Sequence, residues 1–243
     1  VASQGAAIFT HSAVTGFDRA GAGWRVTCAK GQVTAPRIIL ATNGHLESFG
    51  IAKGRLMQLF LYASMTPVLD AEQLRLLGGA PRWGVTPSDP MGTTMRRIDT
   101  AQGGHRIITR TCATVRPHMQ ASAREVARAS AVQRGKFNAR FAQLASLAME
   151  YEWAGHLCLS LNGVAVTDQI EEGVFAAAVQ NGLGTARGTL TGIAAAEAAL
   201  GHETPVTAYF AAQAAPRRLP PQPFATWGAN AYLRWKEHAA RAE

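Results

Sequence analysis

The stretch Gly173-Val-Phe-Ala-Ala-Ala-Val-Gln-Asn-Gly-Leu-Gly-Thr-Ala-Arg-Gly-Thr-Leu-Thr-Gly-Ile-Ala-Ala-Ala-Glu197 constrains this chain more than any other. Its apolar start reads as a buried strand over 174–179, followed by a glycine turn over 180–184 and a small-residue helix over 185–200. Glycine lets backbone N–H groups approach a ligand without an intervening Cβ. The helix start adds unpaired donors and a partial positive charge. Such a βα turn suits a phosphate or another electron-rich group. On pattern alone it is equally a plain βα turn that needs glycine for geometry. The spacing Gly182-x-Gly184-x-x-x-Gly188 is one residue longer than the dinucleotide fingerprint G-x-G-x-x-G. A helix stop and a loop, Gly201-His-Glu-Thr-Pro205, follow in place of a strand with an acidic residue.

A second buried strand is predicted over 36–44, Pro36-Arg-Ile-Ile-Leu-Ala-Thr-Asn-Gly44, closing in an Asn-Gly turn. Continuous apolar runs of this kind belong inside parallel sheets, whose ligands bind beyond the carboxyl ends. Ahead of it, 6–10 and 13–17 read as short strands, and 24–35 as a hairpin turning at Lys30-Gly31. Residues 56–117 carry an antiparallel pattern. It comprises a long strand over 56–66, a helix over 70–77 capped by Asp70, and strands over 93–99 and 105–112. A helix is predicted from Ser122 to about 148, with Glu125 completing a capping box. Strands resume over 149–162. The chain closes with a proline-rich linker and a helix over 229–240 that should pack through Tyr232, Leu233 and Trp235.

The expected fold class is therefore mixed α/β and α+β. An incomplete Rossmann-like cofactor domain (1–55 and 164–215) is interrupted by an antiparallel substrate domain (56–163), with a linker and helix over 216–243. The 243 residues, 47% of them hydrophobic, suffice for a sizeable core. No run of about 18 apolar residues occurs, and neither a membrane span nor a leader peptide is expected. The first residue is Val1, and residues 1–5 read as the tail of a helix. A fragment, or a chain completed by a separate partner, is thus an open reading.

The net charge of +8 raises nucleic-acid binding as a class. The arginines are dispersed, so a solvated helix face is the better reading and no nucleic-acid partner is expected. Cys28, Cys112 and Cys158 form no C-x-x-C pair, which fits buried thiols in a cytoplasmic setting. The seven histidines show no H-x-x-x-H spacing, so no metal site is expected.

Five stretches together resemble the FAD-dependent amine oxidases of the D-amino-acid oxidase, glycine oxidase and sarcosine oxidase superfamily, most nearly its γ-glutamylputrescine oxidase-like branch. They are 5–16, 35–44, 89–97, 152–163 and 180–188, in the family's order. The resemblance implies FAD as cofactor. It places the strand ending at Val14 by the adenine, Ala41, Thr42, Asn43 and Gly44 by the phosphates, and Gly182, Leu183, Gly184 and Thr185 at the flavin ring edge. There, N–H groups would stabilise the reduced, anionic flavin. Gly155 joins this cofactor set. His156, Arg96 and Tyr62 are the candidate catalytic residues, on an insert that would cover the flavin and bind a small amine. Arg96, Arg97, Arg106 or Arg110 could reach a remote carboxylate. The implied reaction oxidises the C–N bond of a primary or secondary amine, a polyamine derivative or an amino acid, to an imine. O2 or another acceptor then reoxidises the flavin.

Two departures from the family pattern shape the expectation. The G-x-G-x-x-G unit that grips the ADP moiety is missing. The resemblance therefore implies a further βαβ unit, from the same gene or a separate chain. The stretch Trp153-Ala-Gly-His-Leu-Cys158 contains no Arg, which points from a simple α-amino acid toward an amine. The rival class is a non-catalytic remnant or interaction subunit that binds no FAD.

Overall fold

The computed structural model describes residues 2–242; Val1 and Glu243 lie outside the described residues. The helix-like start is a single 3-10 turn over Ala2–Gln4. Residues 6–10, expected as a strand, are irregular and exposed, Ile8 at 67% and Phe9 at 72%. Their β-prone composition meets no partner strand among the described residues to receive its backbone groups. The first strand, β1, instead begins at the residue where an adenine-side strand was expected to end. It spans Val14–Ala20 and pairs antiparallel with β2 (Gly23–Cys28), which pairs with β3 (Gly31–Ala35).

The run 36–44 yields only a three-residue strand, β4 (Ile38–Leu40), with Ile39 43% exposed rather than buried on both faces. Its Asn-Gly pair opens a 3-10 helix, Asn43–Phe49, instead of a simple turn.

Two compact units emerge. One combines the chain up to Leu56 with Leu159–Arg218; the other combines Met57–Cys158 with the chain from Leu219 onward. The second unit is built on a five-stranded antiparallel sheet. β5 (Leu56–Met65) is followed by α1 (Ala71–Leu77), then β6 (Trp83–Val85), β7 (Thr94–Ile98) and β8 (Arg106–Val115). α2 (Ala123–Arg140) and β9 (Tyr151–Ser160) complete it, in the strand order β6-β7-β8-β5-β9. Asp70 and Ser122 form the expected caps, each in a reciprocal box with the residue three positions on.

α2 stops eight residues short of the expected 148. Phe141 leaves the helical region (φ −130°) and buries its ring beside Phe137 and Trp83. Core burial of an aromatic outweighs one more turn of helix. Leu69, Met95, Ile107, Phe137, Phe141 and Leu144 form this core.

Register shifts between Leu61 and Tyr62, and Cys112 opposite takes a left-handed φ of 68°. A bulge leaves local backbone groups out of the ladder. Gln133 of α2 repairs this, its amide donating to the carbonyls of Tyr62 (2.9 Å) and Thr111 (3.2 Å).

The chain then re-enters the first unit. β10 (Gln169–Glu171) pairs antiparallel with β11 (Val174–Ala176), which pairs parallel with β4. α3 (Gly184–Leu200) and α4 (Pro205–Ala211) follow. Trp24, 3% exposed, ties the β1–β3 sheet to this hairpin through a bond from its ring N–H to the Glu172 carbonyl at 3.3 Å. Gly173 makes the contact possible: its φ is 79°, and a Cβ there would lie 2.9 Å from the Trp24 nitrogen.

The last helix, α5, spans Phe224–Ala239, longer than the expected 229–240, and belongs to the second unit. Tyr232 and Trp235 are 57% and 62% exposed, so they do not make the expected packing contact. Polar residues hold the helix instead. Asn230 exchanges two bonds with the Val115 backbone, and Glu237 accepts from the Ala113 N–H at 3.0 Å. β7 pairs with β8 only as far as Arg110, and α5 covers the backbone edge beyond it.

Candidate cofactor site

β4 and β11 run parallel and end together, Ala177 N–H donating to the Leu40 carbonyl at 3.0 Å. The chain leaves both strands through left-handed residues. Asn43 has φ 49°, Val179 φ 63°, Asn181 φ 52° and Gly182 φ 82°. For β-branched Val179 this conformation is a genuine outlier, and such strain gathers at functional sites. Neighbouring side chains hold it. The Asn43 carboxamide oxygen accepts the Val179 N–H at 3.2 Å. The Asn181 oxygen accepts the Ser160 N–H at 2.8 Å, and its amide donates to the carbonyls of Val164 (2.8 Å) and Val179 (2.9 Å).

This turn delivers an open helix start. Gly182 to Ala186 are exposed, and the N-cap residue Leu183 makes no side-chain capping bond. Nothing lies within 4 Å of where a Cβ would stand on Gly182 or Gly184. α3 therefore presents uncapped N–H donors and the positive end of its dipole toward open space. On the facing turn, Thr42 Oγ1 is buried without a hydrogen-bond partner among the described residues. Gly44 is buried, and Ala41 is exposed. The donors, the clearance and the orphaned hydroxyl fit an anionic or electron-rich group such as part of FAD. Ala41, Thr42, Asn43, Gly44, Gly182, Leu183, Gly184 and Thr185 are thus gathered on two adjoining turns of one unit. Val14, 39% exposed at the start of β1, lies in the same unit but on the separate β1–β3 sheet.

The remaining candidates belong to the second unit. Gly155 is exposed on β9. His156 is half-buried, its Nε2 2.9 Å from the Gln58 side-chain oxygen and its ring 5.3 Å from Phe60. Tyr62 is 1% exposed and packs with Phe60, Cys112 and Ala129, and its hydroxyl bonds to Thr114 Oγ1. Burial pushes its phenol pKa up, against that hydrogen bond. It is built as a core residue, because its only polar atom is spent inside the sheet.

Arg96 stands exposed on β7. The register pairs Thr94 with Arg110 and Arg96 with Ile108, so the two arginines share one face as diagonal neighbours. Arg110 donates to Thr94 Oγ1 at 2.8 Å, has no carboxylate partner among the described residues, and has its pKa lowered by burial. Arg97 is buried and donates to the Gly78 and Ala80 carbonyls, while Arg106 pairs with Glu150 at 2.6 Å. Those two are structural. Asn181 and Val179 were missed as site residues. The signal for Asn181 was its residue type, since Asn is enriched in left-handed turns.

A parallel βα unit with a glycine turn at an open helix start defines a cofactor-binding α/β protein. The chain belongs to the FAD dependent oxidoreductase family (DAO), whose family pattern matches residues 1–198. The cofactor of that family is FAD. No curated protein matches the chain in sequence. Among solved structures it is similar to glycine oxidase from Geobacillus kaustophilus, with TM-score 0.68 and 17% identity over 90% of this chain and 55% of that one. L-proline dehydrogenase from P. horikoshii gives TM-score 0.59 and 18% identity over 86% and 55%. An L-amino acid deaminase from Proteus vulgaris gives 0.60 and 14% over 84% and 49%. These likenesses are of fold, and the chain spans about half the length of the structures it matches. Among the described residues, no helix is long and apolar enough to cross a membrane.

Proposed function

We propose that the chain works as part of an FAD-dependent oxidoreductase that oxidises the C–N bond of a primary or secondary amine to an imine. The observation that carries this reading is the open N-terminus of α3, aimed by a turn that Asn43 and Asn181 lock. FAD, when bound, supplies the two-electron acceptor, which O2 or another acceptor regenerates.

The chain's own residues supply binding and orientation. N–H groups at Gly184 and Thr185 stabilise negative charge, and the pre-set turn spares the cost of ordering them on binding. Thr42 offers a hydroxyl on the facing turn. The substrate contacts fall to the second unit, where Arg96 and Arg110 can hold an anionic group and His156 can orient a polar one. With no Arg over 154–158, the reading favours an amine with a remote carboxylate, as in the γ-glutamylputrescine oxidase-like branch, over a simple α-amino acid.

Among the described residues β4 pairs on one side only, and Ile39 on it is 43% exposed. Parallel strands are ordinarily buried. That supports a further βαβ unit, from the same gene or another chain, as the piece that grips the ADP moiety. The reduced thiols of Cys28, Cys112 and Cys158 support a cytoplasmic setting.

The test is FAD titration followed by flavin fluorescence, on the full polypeptide encoded with these residues. Saturable quenching that Gly182→Val abolishes without unfolding the protein is expected. A complete polypeptide that leaves free flavin fluorescence unchanged would instead favour the non-catalytic remnant.

A further inference from the structure

The second unit holds a cavity of about 280 Å3 where α2 and α5 meet β8 and the turn before β7. Its volume equals that of about nine liquid waters, enough for a small organic molecule. The charged groups lining it are Lys136 from α2, with Arg234, Glu237 and Arg241 from the C-terminal segment. Glu237 is the one carboxylate among them, and it is already engaged. It accepts from Arg234 at 2.8 Å, from Arg128 at 3.1 Å and from the Ala113 N–H at 3.0 Å. Lys136 itself donates to the Arg241 carbonyl, and among the described residues of the lining the positive groups outnumber the one carboxylate. Met91 and Val132 supply apolar wall.

Thr93 is a buried polar group of the lining. It is 2% exposed, and its Oγ1 has no hydrogen-bond partner among the described residues. A buried, unmet hydroxyl is destabilising, and a ligand acceptor placed in the cavity relieves it.

We propose that this cavity is a binding site for a compact organic anion. Its carboxylate or phosphate head meets the Lys136 and Arg241 charges and the Thr93 hydroxyl, and its short apolar body lies against Met91 and Val132. The site lies within the second unit and needs neither flavin nor turnover. Its occupant braces α5 against the sheet.

Calorimetric titration at low salt, with pentanoate and butyl phosphate as anionic probes and pentanol as the uncharged control, tests the site. At least one anion binds saturably below about 10 mM and raises the unfolding temperature, while pentanol does neither. The tighter of the two names the head group. Thr93→Val weakens that binding about tenfold, Thr93→Ser restores it to within about threefold, and Lys136→Gln on the rim weakens it about fivefold. Arg96→Gln, on β7, leaves it unchanged. The proposal is overturned if neither anion saturates, if pentanol binds as well as the anions, or if Thr93→Val and Lys136→Gln both bind like the wild type.

Discussion

The carboxamide oxygen of Asn43 lies 3.2 Å from the backbone nitrogen of Val179, and both residues sit in the left-handed region. Two turns 136 positions apart in the chain are thereby held as one corner. Val179 cannot rest at φ 63° without support, since a strained non-glycine residue costs about 1–3 kcal/mol.

Asn181→Leu is the strongest test of that corner. It removes bonds to Ser160, Val164 and Val179 and puts a bulkier side chain at φ 52°. A loss of about 2–4 kcal/mol is expected from chemical denaturation, with the Ser160 N–H and the Val179 carbonyl losing this partner. A midpoint within error of the wild type would mean the turn does not depend on this side chain.

Gly182→Ala separates stability from binding. The site is open around the missing Cβ, so the folded cost is only the left-handed backbone, about 1 kcal/mol. A ligand close to the turn meets the new methyl directly. FAD affinity should therefore fall far more than the unfolding temperature, read by paired titration and thermal melts.

Glu125 gives the second unit an acid-sensitive point. Burial pushes its carboxyl pKa up, but bonds from Arg116 and Ser122 outweigh this and the net shift is downward. A carboxyl held lower in the folded state adds stability that is complete above its unfolded value, about 4.3. That stability drains away as pH falls through the lowered folded value. Glu125→Gln should flatten the acid limb of the stability–pH curve and cost about 1 kcal/mol at neutral pH through the weakened cap. An unchanged acid limb would place the sensitivity elsewhere.

Cys112 should be inert in the native protein. Burial first, then the Glu237 charge, pushes its thiol up to about 11, and it is 2% exposed. Half-buried Cys28 should react with a thiol reagent at pH 8, whereas Cys112 should wait for unfolding. Mass-spectrometric mapping of early adducts reads this, and rapid native labelling of Cys112 would contradict it.

The helix caps were legible because they are local. Asp70 and Ser122 need only residues within the next turn, and both caps form as expected. The hairpin over 24–35 and the strand–turn–helix of 173–200 were legible for the same reason. Residues 6–10 misled, because β-branched and aromatic content does not reveal whether a partner strand exists. The burial of Tyr62 was not legible, because alternation along β5 does not say which face meets α2.

By itself, then, the sequence determined the βα unit at 173–200, its glycine turn, and the placement of an antiparallel insert between two strands that pair parallel. Local propensity and period carry those choices. Only the tertiary structure decided that Asn43 would pin Val179, that Gln133 would repair the bulge at Cys112, and that α5 would dock through Asn230 and Glu237 rather than its aromatics. Each of these satisfies a backbone group that distant parts of the chain leave unpaired. Which groups those are is known only once the strands have met.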